Sequence, residues 1–213
     1  MKGVKFDDLH SYNAWGLILQ KQEIGAPEPK TIQIEVEGGD GVLDLTEFFG
    51  QVKYKNRLLS FTFSKPGITQ KEFLALYSTV QGAIHGKKMK VILDDDPNCY
   101  YFGRVEINKW KSNRNIGEIV IEVDAEPYKN EIGVSSYMQN VKSNATLSII
   151  NSQKPVVPKI TSNAEFLISF NGFNEIYPAG TFTIPELELK EGFNQVYVEG
   201  TGSITFEYKR GWL

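Results

Sequence analysis

Two histidines, one cysteine and a run of three aspartates are the side chains of this 213-residue chain best suited to chemistry. A metal site on His10 or His85 needs a second ligand one helical turn away or cysteine neighbours, and neither residue has them. Both read as surface or loop histidines. Cys99 stands beside Tyr100 and Tyr101 in a strand-like run, where a small buried thiol is expected instead of a nucleophile. Being single, it forms no intrachain disulfide, so the fold does not depend on an oxidising compartment. Asp94, Asp95 and Asp96 could present oxygens to a hard cation, but calcium loops place their ligands at alternate positions and add a later glutamate. A solvated hairpin tip is expected there. Gly82 to Lys88 approaches a phosphate loop, yet its glycines are one residue too close and Lys88 stands where a hydroxyl should meet magnesium. No G-x-S-x-G elbow occurs, and no carboxylate pair of glycosidase type can be picked out. The expectation is a protein that is not an enzyme and that holds no metal or cofactor.

The charge pattern excludes other classes. The net charge is −3, and the densest basic cluster, Lys87, Lys88 and Lys90, reads as a solvated turn instead of a phosphate-tracking stripe. Nucleic acid is not expected to bind tightly. The opening stretch from Met1 to Asp8 carries charge where a signal peptide needs an apolar core, and no apolar run approaches the ~20 residues of a membrane span. Neither secretion by that route nor membrane insertion is expected.

The elements are mostly strands. Trp15, Leu17 and Leu19 alternate as one strand face would, and Ile32, Ile34 and Val36 alternate with Gln33, Glu35 and Glu37 as a strand with one wet face. Val52 to Tyr54 and Leu58 to Phe63 follow, the latter with Leu59, Phe61 and Phe63 on one side. From Thr69 the spacing changes to three and four, placing Phe73, Leu76, Tyr77, Val80 and Ile84 along one face of a helix. Thr69 and Glu72 form a capping box at its start, and Gly82 and Gly86 mark its end. Strand-like runs then flank Asp94 to Asn98, and after a turn at Ser112-Asn113-Arg114-Asn115, Ile119, Ile121, Val123 and Ala125 alternate to Glu126-Pro127-Tyr128. This predicts an N-terminal β-sandwich or barrel-like domain with one helix over 1–130, and a linker over 131–142. A small β-sandwich of short, evenly spaced strands is expected over 143–213.

Between the alternating run at Ile32 and the next strands lies Gly38-Gly39-Asp40-Gly41-Val42-Leu43-Asp44-Leu45-Thr46, whose glycines allow backbone that other residues resist. With the upstream Pro27-Glu28-Pro29-Lys30, this segment resembles the "PxPK" and "GxDGxLDLT" signature of the distal tail proteins of bacteriophages and prophages. The likeness continues through Pro158-Lys159-Ile160, Phe166 to Gly172, Gly192 to Val196 and the Arg210-Gly211-Trp212-Leu213 ending. It implies a mainly β protein whose C-terminal domain is galectin-like or a reduced form of it.

The resemblance also implies a structural role at the virion tail tip or baseplate, after assembly in the bacterial host cytoplasm. N-terminal domains would join into a hexameric ring between the tail tube protein and a tail-associated hub with receptor-binding or fibre proteins. DNA would cross the lumen without specific binding. Glu35, Glu37, Gly38, Gly39, Asp40, Gly41, Asp44, Leu45 and Thr46 would then lie at the subunit interface or in the lumen, where carboxylates would repel passing phosphate. The alternative is a carbohydrate-binding module acting in host adsorption, with Phe173, Tyr177 and Phe182 as its available rings.

Overall fold

The computed structural model describes residues 2–48, 50–113 and 115–213. Arg114, in the turn expected at 112–115, lies outside them. The chain divides into two compact units between Pro127 and Tyr128.

The first unit opens with β1 (Val4–Phe6), β2 (Leu9–His10), helix α1 (Ser11–Trp15) and β3 (Ile18–Ile24). A short hairpin of β4 (Gln33–Glu35) and β5 (Val42–Asp44) follows, then β6 (Arg57–Pro66), helix α2 (Gln70–Ile84), β7 (Lys88–Leu93), β8 (Asp96–Asn113) and β9 (Ile116–Ala125). Seven strands form one antiparallel sheet in the order β2-β1-β7-β8-β9-β6-β3. Leu59, Phe61 and Phe63 of β6 and Ile119, Ile121 and Val123 of β9 point to one side and are fully buried. The alternation read in the sequence is therefore the inner face of this sheet. Phe6 of β1 meets Phe61 of β6 edge to face at 6.4 Å although three strands separate them, so the sheet curls toward a barrel around its core.

Helix α2 covers that face with Phe73, Val80 and Ile84. Its capping box is complete: the Thr69 amide donates to a Glu72 carboxylate oxygen at 2.9 Å, and the Glu72 amide donates to the Thr69 hydroxyl at 3.4 Å. The helix ends at Ile84, so Gly82 lies inside it, and Lys87 donates to the Gly82 and Ala83 carbonyls left open at its end. Helix and sheet approach closely because Gly117 has no side chain; a Cβ there would stand 2.0 Å from the Phe73 ring.

Three expectations need correction. Trp15, Leu17 and Leu19 do not share a strand: the His10 ring caps a five-residue helix by accepting from the Tyr12 and Asn13 amides, and Gly16 ends it at φ 63° before β3 begins. The aspartate run does form the exposed turn of the β7–β8 hairpin, as expected, and it is engaged there as well. Asp94 accepts the Gly3 amide at 2.7 Å and pairs with His10 at 3.1 Å, while Asp95 holds Lys2, so these carboxylates fasten the N-terminal strand. Val52 to Tyr54 makes only a single bridge, Tyr54 with Pro29. The third is the stretch read as a linker, most of which is strand.

The second unit holds β10 (Lys129–Glu131), β11 (Ser135–Val141), β12 (Asn144–Asn151), β13 (Lys159–Ser162) and β14 (Phe166–Phe170). It continues with β15 (Phe173–Tyr177), β16 (Gly180–Thr183), β17 (Gly192–Glu199), β18 (Gly202–Tyr208) and β19 (Gly211–Trp212). Sheets β11-β18-β13-β16 and β12-β17-β14-β15 enclose one core that includes Leu147, Ile160, Phe166, Ile168, Val196, Val198 and Phe206. Strand β11, within the stretch read as a linker, pairs with all of β18 through seven residues; Ser135 and Gln139 on its more buried side and the exposed Met138 on the other break the apolar alternation. The β10–β19 pair closes one end of the unit, where Arg210 pairs with Glu131 at 2.9 Å and lies over Trp212.

Candidate functional site: an exposed acidic arm

The nine residues singled out between Glu35 and Thr46 come together on the β4–β5 hairpin, an arm inserted between β3 and β6. Its root is fixed. Arg57, only 7% exposed, donates to the Gly25 carbonyl at 2.7 Å and the Pro127 carbonyl at 3.1 Å, and Gly25 donates to Leu58. Further out, Lys30 and Lys55 amides donate to the Lys53 and Glu28 carbonyls, so the two legs of the arm run paired from its base.

Within the arm, Gln33 pairs with Asp44, Ile34 with Leu43 and Glu35 with Val42. Gly38 and Gly41 turn the tip at φ 79° and 77°, a region costly for residues bearing a Cβ. Asp44 and Thr46 close the hairpin: the Thr46 amide donates to Asp44 at 2.9 Å, and the Thr46 hydroxyl accepts the Ile32 amide at 3.1 Å. Hydrogen bonds from Thr46 hold the Asp44 carboxyl below its ordinary range, keeping it ionised. A cleft of about 570 Å³ opens at the base, lined in part by Pro29, Asp44, Leu45, Glu47, Phe48 and Val52.

The expected division into one wet and one buried face fails on this strand. Ile32, Ile34, Val36, Val42, Leu43 and Phe48 are all exposed, Phe48 by 72%, because no sheet lies behind the hairpin. Five carboxylates, Glu35, Glu37, Asp40, Asp44 and Glu47, share the arm with them, and no lysine or arginine occurs between Lys30 and Lys53. An acidic projection with an uncovered apolar stripe suits a partner surface better than solvent.

Phe173, Tyr177 and Phe182 do not project as a ligand platform. They are half-buried against the second core, with Tyr177 stacked on Phe182 at 4.6 Å. The exposed rings of that unit are on β17, where Phe193 is 74% and Tyr197 36% exposed. The sequence held the signal: Phe193, Gln195, Tyr197 and Glu199 alternate with Asn194, Val196 and Val198, which face the core. Of the other candidates, His85 accepts the Ile107 amide at 3.0 Å, and Cys99 is half-buried. Among the described residues no group of three or more His, Cys, Asp and Glu is gathered to hold a metal, and no helix is long and apolar enough to cross a membrane.

Two β units, one a curled sheet carrying a helix and an inserted arm and the other a small sandwich, define a mainly β architecture shared with a phage adsorption protein. The SPP1 Dit protein (gp 19.1), a paradigm of the hub adsorption apparatus in phages infecting Gram-positive bacteria, matches with a TM-score of 0.71 at 13% sequence identity. The match covers 100% of both chains. No protein-family model matches the chain, and no curated protein matches it by sequence.

Proposed function

We propose that this protein is a structural component of a phage tail tip, a distal tail protein whose first unit forms a hexameric ring joining the tail tube to the host-recognition apparatus. The exposed apolar and acidic arm carries the reading, in a chain whose whole length shares the fold of a hub adsorption protein. A closed ring needs a heterologous interface, in which a feature on one side of a subunit meets a different surface on its neighbour. The arm supplies such a feature, and its glycine-turned tip and closing Asp44–Thr46 contact hold it in shape for docking. In this reading the arm lies at the subunit interface or borders the lumen, where its carboxylates repel DNA in transit. Tail tube protein above, and a hub with receptor-binding or fibre proteins below, are the partners; the virion tail tip is the location.

Negative-stain microscopy of concentrated protein, with mass by light scattering, tests the proposal. Rings with a central hole are expected. A monomer that stays monomeric when mixed with the tail tube protein and hub of the same phage would refute it.

One observation favours a second reading, carbohydrate binding in adsorption. On the outer face of sheet β12-β17-β14-β15, Ile150 lies across from Phe193 and Ser148 from Gln195, and Tyr197 is flanked by Thr146 and Ser169. Rings interleaved with amides and hydroxyls suit sugar surfaces, which are apolar on one side and hydrogen-bonding at the edge. Glycan-array binding by the full chain, lost on Phe193→Ala, would support it.

A further inference from the structure

The first unit carries a second exposed and charged projection, of opposite sign to the arm. The β8–β9 hairpin contains Lys109 and Lys111, and the sequence places no acidic residue between Glu106 and Glu118. Helix α2 begins beside it: Gly67, just before the helix, donates to the Asn115 carbonyl, and Lys71 is exposed on the first turn. Two carboxylates face this group. Glu118 lies 3.5 Å from Lys111, and Glu72 is engaged in the helix cap. Trp110 and Ile116, 41% and 52% exposed, add apolar surface. The cluster read first in the sequence is different: Lys87 is turned onto helix carbonyls, and Lys88 pairs with Glu126.

Strand β6 joins the two projections. The arm enters it at Arg57, and its other end, Pro66, pairs with Ile116 of the basic hairpin. Ten residues of strand separate the ends by about 30 Å. The arm is exposed along its length, so it is not laid on the hairpin of its own chain. Each copy thus presents an acidic, apolar arm at one end and a basic, apolar hairpin at the other, a head-to-tail arrangement of complementary charge.

We infer that the acidic arm of one copy docks on the Lys71–Lys109–Lys111 end of the next, with Trp110 and Ile116 meeting the apolar stripe of the arm. This names the receiving surface for the ring reading, and it rests on that reading for the order of the assembly.

Charge reversal on two full-length chains tests it. One carries Glu35→Lys, Glu37→Lys and Asp40→Lys; the other carries Lys71→Glu, Lys109→Glu and Lys111→Glu. Asp44 is left intact because it closes the hairpin. Each variant alone opposes like charges and should self-associate about tenfold more weakly than the unaltered chain, while their equimolar mixture should associate, since every arm then meets an opposite hairpin. Circular dichroism melts confirm that both are folded. A mixture that associates no better than its components by sedimentation velocity would overturn the inference. If rings of the unaltered chain persist in both variants, the contact is wrong and the ring reading stands. If the mixture associates without closing into rings, the contact stands and the ring reading fails.

Discussion

Adding a single methyl group at Gly117 should pry the helix from the sheet. A Cβ there would sit 2.0, 2.2 and 2.6 Å from Cδ2, Cε2 and Cγ of Phe73, a ring that is fully buried and 6.0 Å from Trp110. Ordinary contact begins above 3.4 Å, so Phe73 would have to retreat by more than an ångström, and helix α2 with it. Overpacking of this kind costs about 1–3 kcal/mol. Replacing glycine in a strand returns about 0.5–1 kcal/mol of backbone entropy, which leaves a net loss of about 1–2 kcal/mol. For a unit of this size that is a fall of about 5 °C in melting temperature. The assay is thermal unfolding followed by circular dichroism, in which each unit can melt separately. Phe73→Leu serves as the second arm of a double-mutant cycle: the smaller side chain gives the methyl group room, so Gly117→Ala should cost markedly less in that background. A neutral or stabilising Gly117→Ala, or an equal cost in both backgrounds, would refute the argument that this contact sets the helix–sheet distance.

Two further outcomes follow from the same contacts. Thr69→Ala removes the hydroxyl that accepts the Glu72 amide and should destabilise the first unit by about 1 kcal/mol in denaturant melts, without changing the melting of the second. In the second unit, the hydrogen bond from Arg210 holds the Glu131 carboxyl below its ordinary value of 4.5 against the opposing effect of burial. Stability from a lowered carboxylate is complete above that ordinary value and is lost as pH falls through the lowered one. Glu131→Gln should therefore cost about 1 kcal/mol at neutral pH, given the partial exposure of the pair. The difference should shrink in melts below about pH 4.

The parts of the fold that were legible are those whose signal is local. The helix could be bounded because Thr69, Glu72 and the three- and four-residue spacing all act within one or two turns. The inner face of β6 and β9 could be read because each buried side chain alternates with a wetter one. Most of the failures come from interactions across long sequence separations, and one from an unusual local cap. Nothing near Asp94 announces that it will accept the amide of Gly3, 91 positions away, and nothing in Ser11 to Trp15 announces a helix stabilised by a histidine cap. Strand β11 is hard to read because its partner lies 61 to 73 residues further on, and its inward positions include Ser135 and Gln139 while Met138 faces out.

The arm is the more instructive case, because the pattern was read correctly and its meaning was not. Ile32, Ile34 and Val36 alternate with polar residues as a half-buried strand does, yet all three are exposed in the single chain. Alternation records that one face will be covered; it does not record whether the cover comes from the same chain. Solvating six large apolar side chains on a two-stranded hairpin is unfavourable, since such a hairpin has no core of its own to stabilise it. The cost is offset if the stripe is buried in an assembly, and the carboxylates interspersed along it limit unspecific pairing before the proper surface is met. A sequence that looks like a conventional strand and folds as an exposed arm is therefore consistent at a higher level: in the proposed ring its burial would be completed by the neighbouring subunit. That places the expected effect of removing the stripe in assembly and not in folding. Ile34→Ser with Leu43→Ser should leave the melting of the isolated chain unchanged while weakening association, and a large drop in melting temperature of the monomer would contradict this account.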